Sequence, residues 1–563
     1  MTPYSCNNAD ESWDVIVVGT GIGGASCGYA LARRGHRILF LEKGLFLFGA
    51  HDRGTGQMLQ DASQPAERLR HGWWPVQLEG YTSYAPLLKM FAPLGCGTGG
   101  SSSLYAAQME RLMPSDFEPK QHHPHASDAT LPEAWPYSYA ELAPYYRHAE
   151  ALYEVCGTPD PLNPDPEARY IVPPAMSERD EFLFEAMKSR GMHPYRAHVG
   201  CRYLPGCMNC VARLCPRACK TDAARVALLS ALEQYGASLL TEAEVLRLEA
   251  SAERVKGVVV RHRGVEGTVR GKVVVLAAGA LMTPALLLRS TSAAWPTGLA
   301  NHNDLVGRNL MMHTSDFIAL RPPKMLDPNG PTKAISVNDF YMRDGRKLGT
   351  FQSVGMPVNQ GSIDAYLKAK IDKDPSSLFS LGGTFGRKVA SKVGAVLFRQ
   401  ANIFASIIED LPYLHNRVVL DERNPNGMRF EYTYPNELKE RNALFRSEID
   451  RWLSPKMSTL LLGGDNNLNF GHVSGTVRAG VDPKMSVVDV WQRAHDLENL
   501  YVADASVFPS SGGVNPSLTI AATALRAADG IAAYLGSMVC RPRLGQFSDA
   551  MSDGLRPARC PEL

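Results

Sequence analysis

From Asp14 the chain reads DVIVVGTGIGGASCGYALARRGHRILFLEKG, an order of apolar runs and glycine breaks that predicts its own elements. The β-branched run Val15 to Val18 predicts a buried strand, and Gly19, Gly21 and Gly24 a tight turn. Apolar positions through Ala25, Ala30 and Leu31 predict a helix, and ILFL a second strand ending at Glu42. Further on, TEAEVLRLEASAERVKGVVVRHRG alternates as two strands about a turn. VVVLAAGALMTPALLLRS, from Val273, reads as a buried strand, a small-residue turn and a helix, and NLYVAD as a strand ahead of an alanine-rich helix beginning near Asn515. From about Phe317 to Leu453 the pattern mixes strands and helices without sharp motifs.

Strand, glycine turn and helix in that order point to a dinucleotide. Gly19 allows the turn, Gly21 lets backbone approach a pyrophosphate, with Ile22 beside it, and Gly24 lets helix and strand pack closely. The helix N-terminus offers free N–H groups to the anion. Glu42, about 20 residues on, is placed to accept the adenosine ribose hydroxyls. FAD and NAD share this half, so the loop does not choose between them. In LGCGTGGSSSLYAAQMERL, from Leu94, Gly99 and Gly100 bring backbone close to a planar ring system, while the hydroxyls of Ser101 and Ser102 can donate to it. Val245 is expected at the adenine edge, Ala278 and Gly279 in the turn closing over the dinucleotide, and Asp504 and Ala505 at the pyrophosphate and ribityl region. Asn515 and Pro516 are expected where a helix N-terminus points partial positive charge at a reduced flavin.

At 563 residues the chain is too long for one ordinary core, so a cofactor domain interleaved with a substrate domain is expected. A net charge of +2 and the absence of a basic block speak against nucleic acid. The N-terminal stretch lacks the pattern of a secretory signal, so the expectation is cytoplasmic by default, with export alongside a partner subunit left open. No uninterrupted apolar run approaches the roughly 20 residues of a transmembrane helix. The stretch from Leu378 mixes apolar residues with Arg387, Lys388, Lys392 and Arg399; it reads as a substrate-domain helix with a solvated basic face, with a membrane-surface helix as the alternative.

The segments DVIVVGTGIGGAS, GTGGSSSLY, AAGALMTPALLLRS, GHVSGTVRAGVDP and LYVADASVFPSSGGVNPSLTIAATALR resemble, in the same order, those of the glucose-methanol-choline (GMC) oxidoreductase family. The resemblance implies an α/β fold: a Rossmann-type FAD-binding domain with an interleaved α+β substrate domain built on an antiparallel sheet. The expected division assigns 13–50, 90–118, 200–312 and 465–538 to the FAD domain, and 51–89, 119–199 and 313–464 to the substrate regions, with a tail at 539–563. It also implies oxidation of a CH–OH group. His472 stands at the position of the family's catalytic histidine and is expected to take the hydroxyl proton. Asn515, where members carry histidine or asparagine, is expected to donate to the substrate oxygen. His313 and His495 are left outside the catalytic set. The substrate is expected to be a sugar, glycoside or related polyol, with Asn338, Gln352 and Asn359 available to bind hydroxyls. Dioxygen, a quinone and a cytochrome stay open as acceptors. The alternatives are an oxidase of a non-sugar alcohol and a non-catalytic flavin electron-transfer protein.

Eleven cysteines is an odd count, and five fall between Cys201 and Cys219. Cys207, Cys210, Cys215 and Cys219 are close enough in sequence to share an iron–sulfur centre. Sugar dehydrogenases of the family carry such a cluster in the matching region, with intervals of five and then three residues. Here Cys215 and Cys219 keep the second interval, whereas Cys210 and Cys215 depart from the first. A disulfide or structural role for these thiols is the competing expectation.

Overall fold

The strand Ser12–Val18 lies inside a seven-stranded sheet, parallel to Ile38–Leu41 on one side and to the second half of Val265–Leu276 on the other. This is a computed structural model; it describes residues 12–48 and 64–539 except 86, 206, 208–209, 332, 356–359, 362, 365–366, 368–370, 372–382, 425, 454–457 and 464–467. Ser238–Leu240 extends the parallel part beyond Ile38–Leu41, and Leu500–Val502 joins along Val274–Leu276. Val265–Leu276 changes partner along its length: Val265–Val269 pairs antiparallel with Val258–His262, and the stretch from Arg270 pairs parallel with Ser12–Val18, with Leu500–Val502 on its other side. Ala243–Ala250 adds the last antiparallel strand. The parallel strands are covered on both faces, which accounts for their unbroken apolar runs.

Sequence and structure meet closely at the first turn. Gly19 has φ +99, and a Cβ there would stand 2.4 Å from the Ala277 carbonyl oxygen. At Gly23, which the motif reading passed over, a Cβ would lie 1.7 Å from the Ala503 oxygen, so no larger residue fits between helix Ile22–Ala32 and the strand end at 502. The helix Ser517–Val539 packs on Ile22–Ala32 and on Tyr139–Leu152. By length and composition it is the one helix among the described residues that could cross a membrane, yet 67% of its apolar window is buried inside the protein. It is a core helix here.

The second sheet has six strands, all antiparallel, in the order Ser458–Leu462, Phe317–Leu320, Asn402–Ile408, Gly349–Ser353, Ile335–Val337, Tyr195–Arg196. Phe340, Phe351, Phe404 and Phe445 form its aromatic centre. The α/β architecture with a separate antiparallel sheet is the expected one. Thr350 N–H donates to the Gly513 carbonyl (2.9 Å), which ties this sheet to the loop ahead of the long helix.

Candidate active site

A cavity of about 290 Å³ runs between the glycine turn and the loops carrying the C-terminal motifs. Gly19, Gly21, Ile22, Glu42, Gly100, Ser101, Ser102, Val245, Ala278, Gly279, Asp504, Ala505 and Pro516 all line it. A Cβ added at Gly21 or Gly279 would meet no protein atom within 4 Å, so both present bare backbone to open space. Such a wall suits a pyrophosphate, and the donor set fits a dinucleotide cofactor.

Two carboxylates of this wall, Glu42 and Asp504, are held by the protein itself. Glu42 is buried; its Oε2 accepts from Thr20 N–H (3.2 Å) and Oγ1 (2.6 Å), and its Oε1 from Gly44 N–H (2.9 Å). Burial raises its pKa, against the lowering effect of these hydrogen bonds. Asp504 accepts from Gly279 N–H (2.9 Å), Thr283 Oγ1 (2.6 Å) and Ser506 N–H (2.9 Å), and so pins the Ala278–Gly279 turn to the strand end. Thr20 and Thr283 escaped the sequence reading. Thr20 occupies an unspecified place of the glycine motif, and the only sign of Thr283 is its five-residue distance from Ala278.

The serine loop makes hydrogen bonds of its own. Ser102 Oγ donates to Gly99 O (2.6 Å) and accepts from Ala223 N–H (3.0 Å), while Ser101 Oγ accepts from Gly95 N–H (3.0 Å). These hydroxyls hold the loop and tie it to Ala223. Gly99 itself, at φ +87, donates its N–H to Thr20 Oγ1 (3.2 Å), joining this loop to the first turn.

His472 ends the short turn Phe470–His472, whose Phe470 and Gly471 line the same cavity. Asn469 caps it, accepting from Gly471 N–H (3.0 Å). Asn515 Nδ2 stands 3.1 Å from His472 Nε2, and Gln352 Nε2 donates to Asn515 Oδ1 (2.7 Å). On the other side of the ring, His472 Nδ1 is 2.9 Å from His313 Nδ1, and His313 Nε2 is 2.9 Å from Gly512 O. One assignment of protons satisfies the whole row. Gln352 donates to Asn515 Oδ1, Asn515 Nδ2 to His472 Nε2, His472 Nδ1–H to His313 Nδ1, and His313 Nε2–H to Gly512 O. Asn469 Nδ2, 3.1 Å from His472 Nδ1, is itself a donor, which leaves His313 as the acceptor of that proton. The unprotonated Nε2 of His472 thus faces Asn515.

Burial, followed by the neighbouring His313 and Lys333, drives the His472 pKa well below its ordinary 6.5, and burial lowers His313 to about 4. Both rings are neutral near pH 7. His313, set aside in the sequence reading, is therefore in contact with the proposed base; it lies 159 residues from His472, and no local pattern announces the pairing. His495 stands apart from this row, its Nε2 2.8 Å from Ser486 Oγ. Gln352 positions Asn515, and Asn338 donates to Asp160 (2.8 Å) and Tyr195 (3.1 Å). Asn359 lies outside the described residues.

Of the two expectations for the cysteines, the iron–sulfur centre finds no support. Cys201, Cys207, Cys210, Cys215 and Cys219 do line one small cavity of about 10 Å³, room for roughly one water. The thiols lie against one another: Cys201 and Cys207 sulfurs are 3.8 Å apart, Cys219 interacts with both Cys207 and Cys215, and the contact between Cys210 and Cys215 lowers the Cys215 thiol and raises that of Cys210. Among the described residues no group of three or more His, Cys, Asp or Glu is arranged to hold a metal ion, so nothing in this pocket supports an iron–sulfur centre.

Comparison with known proteins bears on the same regions. The family model "GMC oxidoreductase" matches residues 89–315 and 456–524, and that of the NAD(P)-binding Rossmann-like domain matches 17–69. Paromamine 6'-oxidase of Streptomyces fradiae is 30% identical over 95% of this chain and 94% of its own. The large subunit of fructose dehydrogenase from Gluconobacter japonicus is 26% identical over 93% and 98%. The crystal structure of pyridoxine 4-oxidase from Mesorbium loti superposes with a TM-score of 0.60 at 20% identity, covering 92% of this chain and 99% of that one, a likeness of fold. With these matches spanning both walls of the cavity, the chain belongs to the GMC oxidoreductase family and is an FAD-dependent enzyme that oxidises CH–OH groups.

Proposed function

We propose that the protein oxidises a hydroxyl-bearing carbon of a sugar, glycoside or related polyol, with His472 accepting the hydroxyl proton. The observation that carries the catalytic part is the directed row from Gln352 through Asn515 and His472 to His313. It leaves an unprotonated imidazole nitrogen and an amide N–H side by side, one to take a proton and the other to hold the oxygen it leaves. FAD, when bound, supplies the acceptor for the hydride from the carbinol carbon. The residues proposed to hold it are those of the glycine turn, Glu42, Val245, the Ala278–Gly279 turn, Asp504, Ala505 and the Asn515–Pro516 segment. The substrate class is supported by relatives named for fructose and paromamine.

Anaerobic mixing of the FAD-loaded enzyme with a panel of sugars, glycosides, polyols and simple alcohols tests this reading. A sugar or polyol should bleach the flavin fastest; bleaching only by a non-sugar alcohol would overturn the substrate class. Reoxidation by dioxygen, a quinone or a cytochrome then identifies the electron acceptor. An iron–sulfur cluster forms no part of the proposal, and an iron-dependent absorption shoulder in the purified enzyme would restore it.

A further inference from the structure

The helix Gly383–Leu397 turns its larger apolar side chains outward. Phe385 is 79% exposed, Val389 46%, Val393 53%, Val396 76% and Leu397 57%. At 3.6 residues per turn these positions share an arc of about 120°. The positions facing the protein are small: Ser391 is buried, and Gly394 sits so near Ile363 that a Cβ would stand 3.1 Å from its side chain. A surface helix ordinarily does the reverse and sets its apolar stripe against the core. Singly exposed apolar residues are common, but five on one helical face within 13 positions form a patch.

On the helix itself the exposed charges beside this patch have one sign. Lys388, Lys392 and Arg399 are exposed, and Lys388 and Lys392 fall on the edge adjoining Phe385 and Val396. Arg387 points the other way, onto Asp364 (3.0 Å). No Asp or Glu occurs between Gly383 and Gln400. A second element borders the helix's C-terminal end: Arg321 donates to the Leu397 carbonyl (3.4 Å) and Leu326 N–H to Gln400 Oε1 (3.1 Å). Between them Lys324 and Met325 are exposed, Met325 by 64%, and add another cation and apolar tip, with the exposed carboxylates of Asp327 and Glu178 beyond them.

We propose that this face docks on an anionic lipid bilayer, the helix lying in the interfacial plane with Phe385, Val389, Val393 and Val396 inserted and Lys388, Lys392 and Arg399 at the headgroups. The charges choose the occupant. A second copy of the chain seated on the same face would bring these cations against their equals, whereas a negative surface receives them with attraction.

The test is co-sedimentation of the full-length FAD-loaded enzyme with phosphatidylcholine vesicles, with and without added phosphatidylglycerol. Binding is expected with the anionic vesicles and should fall as salt is raised. The double variant Phe385→Ser/Val396→Ser should weaken it by about tenfold or more. Lys388→Glu/Lys392→Glu, on exposed positions that threaten no core, should weaken it on anionic vesicles and remove its salt dependence. Flavin content and melting temperature report whether each variant folds. No binding to either vesicle would overturn the proposal. So would a dimer in sedimentation velocity that Phe385→Ser converts to monomer, because a second copy would then be the occupant.

Discussion

His313 Nδ1 stands 2.9 Å from His472 Nδ1, with the two rings at 85° to one another. Because His313 gives its other nitrogen's proton to Gly512 O (2.9 Å), the nitrogen facing His472 is an acceptor. His313 is thereby a positioning residue that selects the tautomer of the proposed base. His313→Ala should lower the rate of flavin reduction by about 10²-fold without loss of FAD. His313→Asn, whose Oδ1 can accept from His472 Nδ1, should recover part of that loss. Equal rates for the two variants would contradict the tautomer role.

His472 is neutral at pH 7 because burial, His313 and Lys333 hold its pKa well below 6.5. A base must be unprotonated, so kcat/KM for the alcohol should rise with pH along an acid limb lying below pH 6.5 and stay level through neutrality. His472→Ala should abolish that limb and cost about 10²–10⁴-fold in rate. A wild-type limb centred at or above pH 7 would contradict this.

Gln352 orients the Asn515 amide through its 2.7 Å hydrogen bond. Gln352→Leu, which frees that amide, should slow flavin reduction by about tenfold, the equivalent of one hydrogen bond. Gln352→Glu should cost more: a carboxylate attracts the Asn515 NH₂ and turns its oxygen toward His472. Stopped-flow measurement of both variants at saturating substrate distinguishes the two effects.

Asp504 holds the Ala278–Gly279 turn by three hydrogen bonds, from Gly279, Thr283 and Ser506. Asp504→Ala should loosen that turn and weaken FAD retention by about ten- to a hundredfold, equivalent to one charge-assisted hydrogen bond. Flavin fluorescence released on dilution measures it, and unchanged retention would remove Asp504 from the cofactor wall.

Lys347 is fully buried between Asp116 and Glu409, at 3.1 Å from the latter, and the pair of carboxylates raises its pKa against the opposing effect of burial. Asp116 also accepts from Tyr341 (2.7 Å), whose hydroxyl accepts from Gly513 N–H (2.8 Å), next to the Gly512 carbonyl that holds His313. Lys347→Met leaves the buried Asp116 without its cation and Glu409 with His123 (2.8 Å) as its remaining close partner, and should cost about 3–5 kcal/mol of stability. Denaturant unfolding measures that loss.

By itself the sequence determined the Rossmann half of the fold. Each of its signals is local: the apolar run Val15 to Val18, the glycine turn, and the strand-turn-helix from Val273 need only neighbouring residues to be read. His472 and Asn515 were legible through their motifs. Tertiary structure decided what surrounds them. His313, Gln352 and Gly512 reach His472 and Asn515 from segments far away in the chain, and hydrogen-bond direction, which sets the tautomer, follows from atoms within about 3 Å and from nothing in the spacing. The cysteines show the converse. Their closeness in sequence suggested a shared metal, while the folded backbone gathers them around a cavity with room for about one water. In the helix Gly383–Leu397, periodicity declared an amphipathic element, and only packing showed that its apolar side faces out, because small residues at Ser391 and Gly394 are what the protein surface accepts.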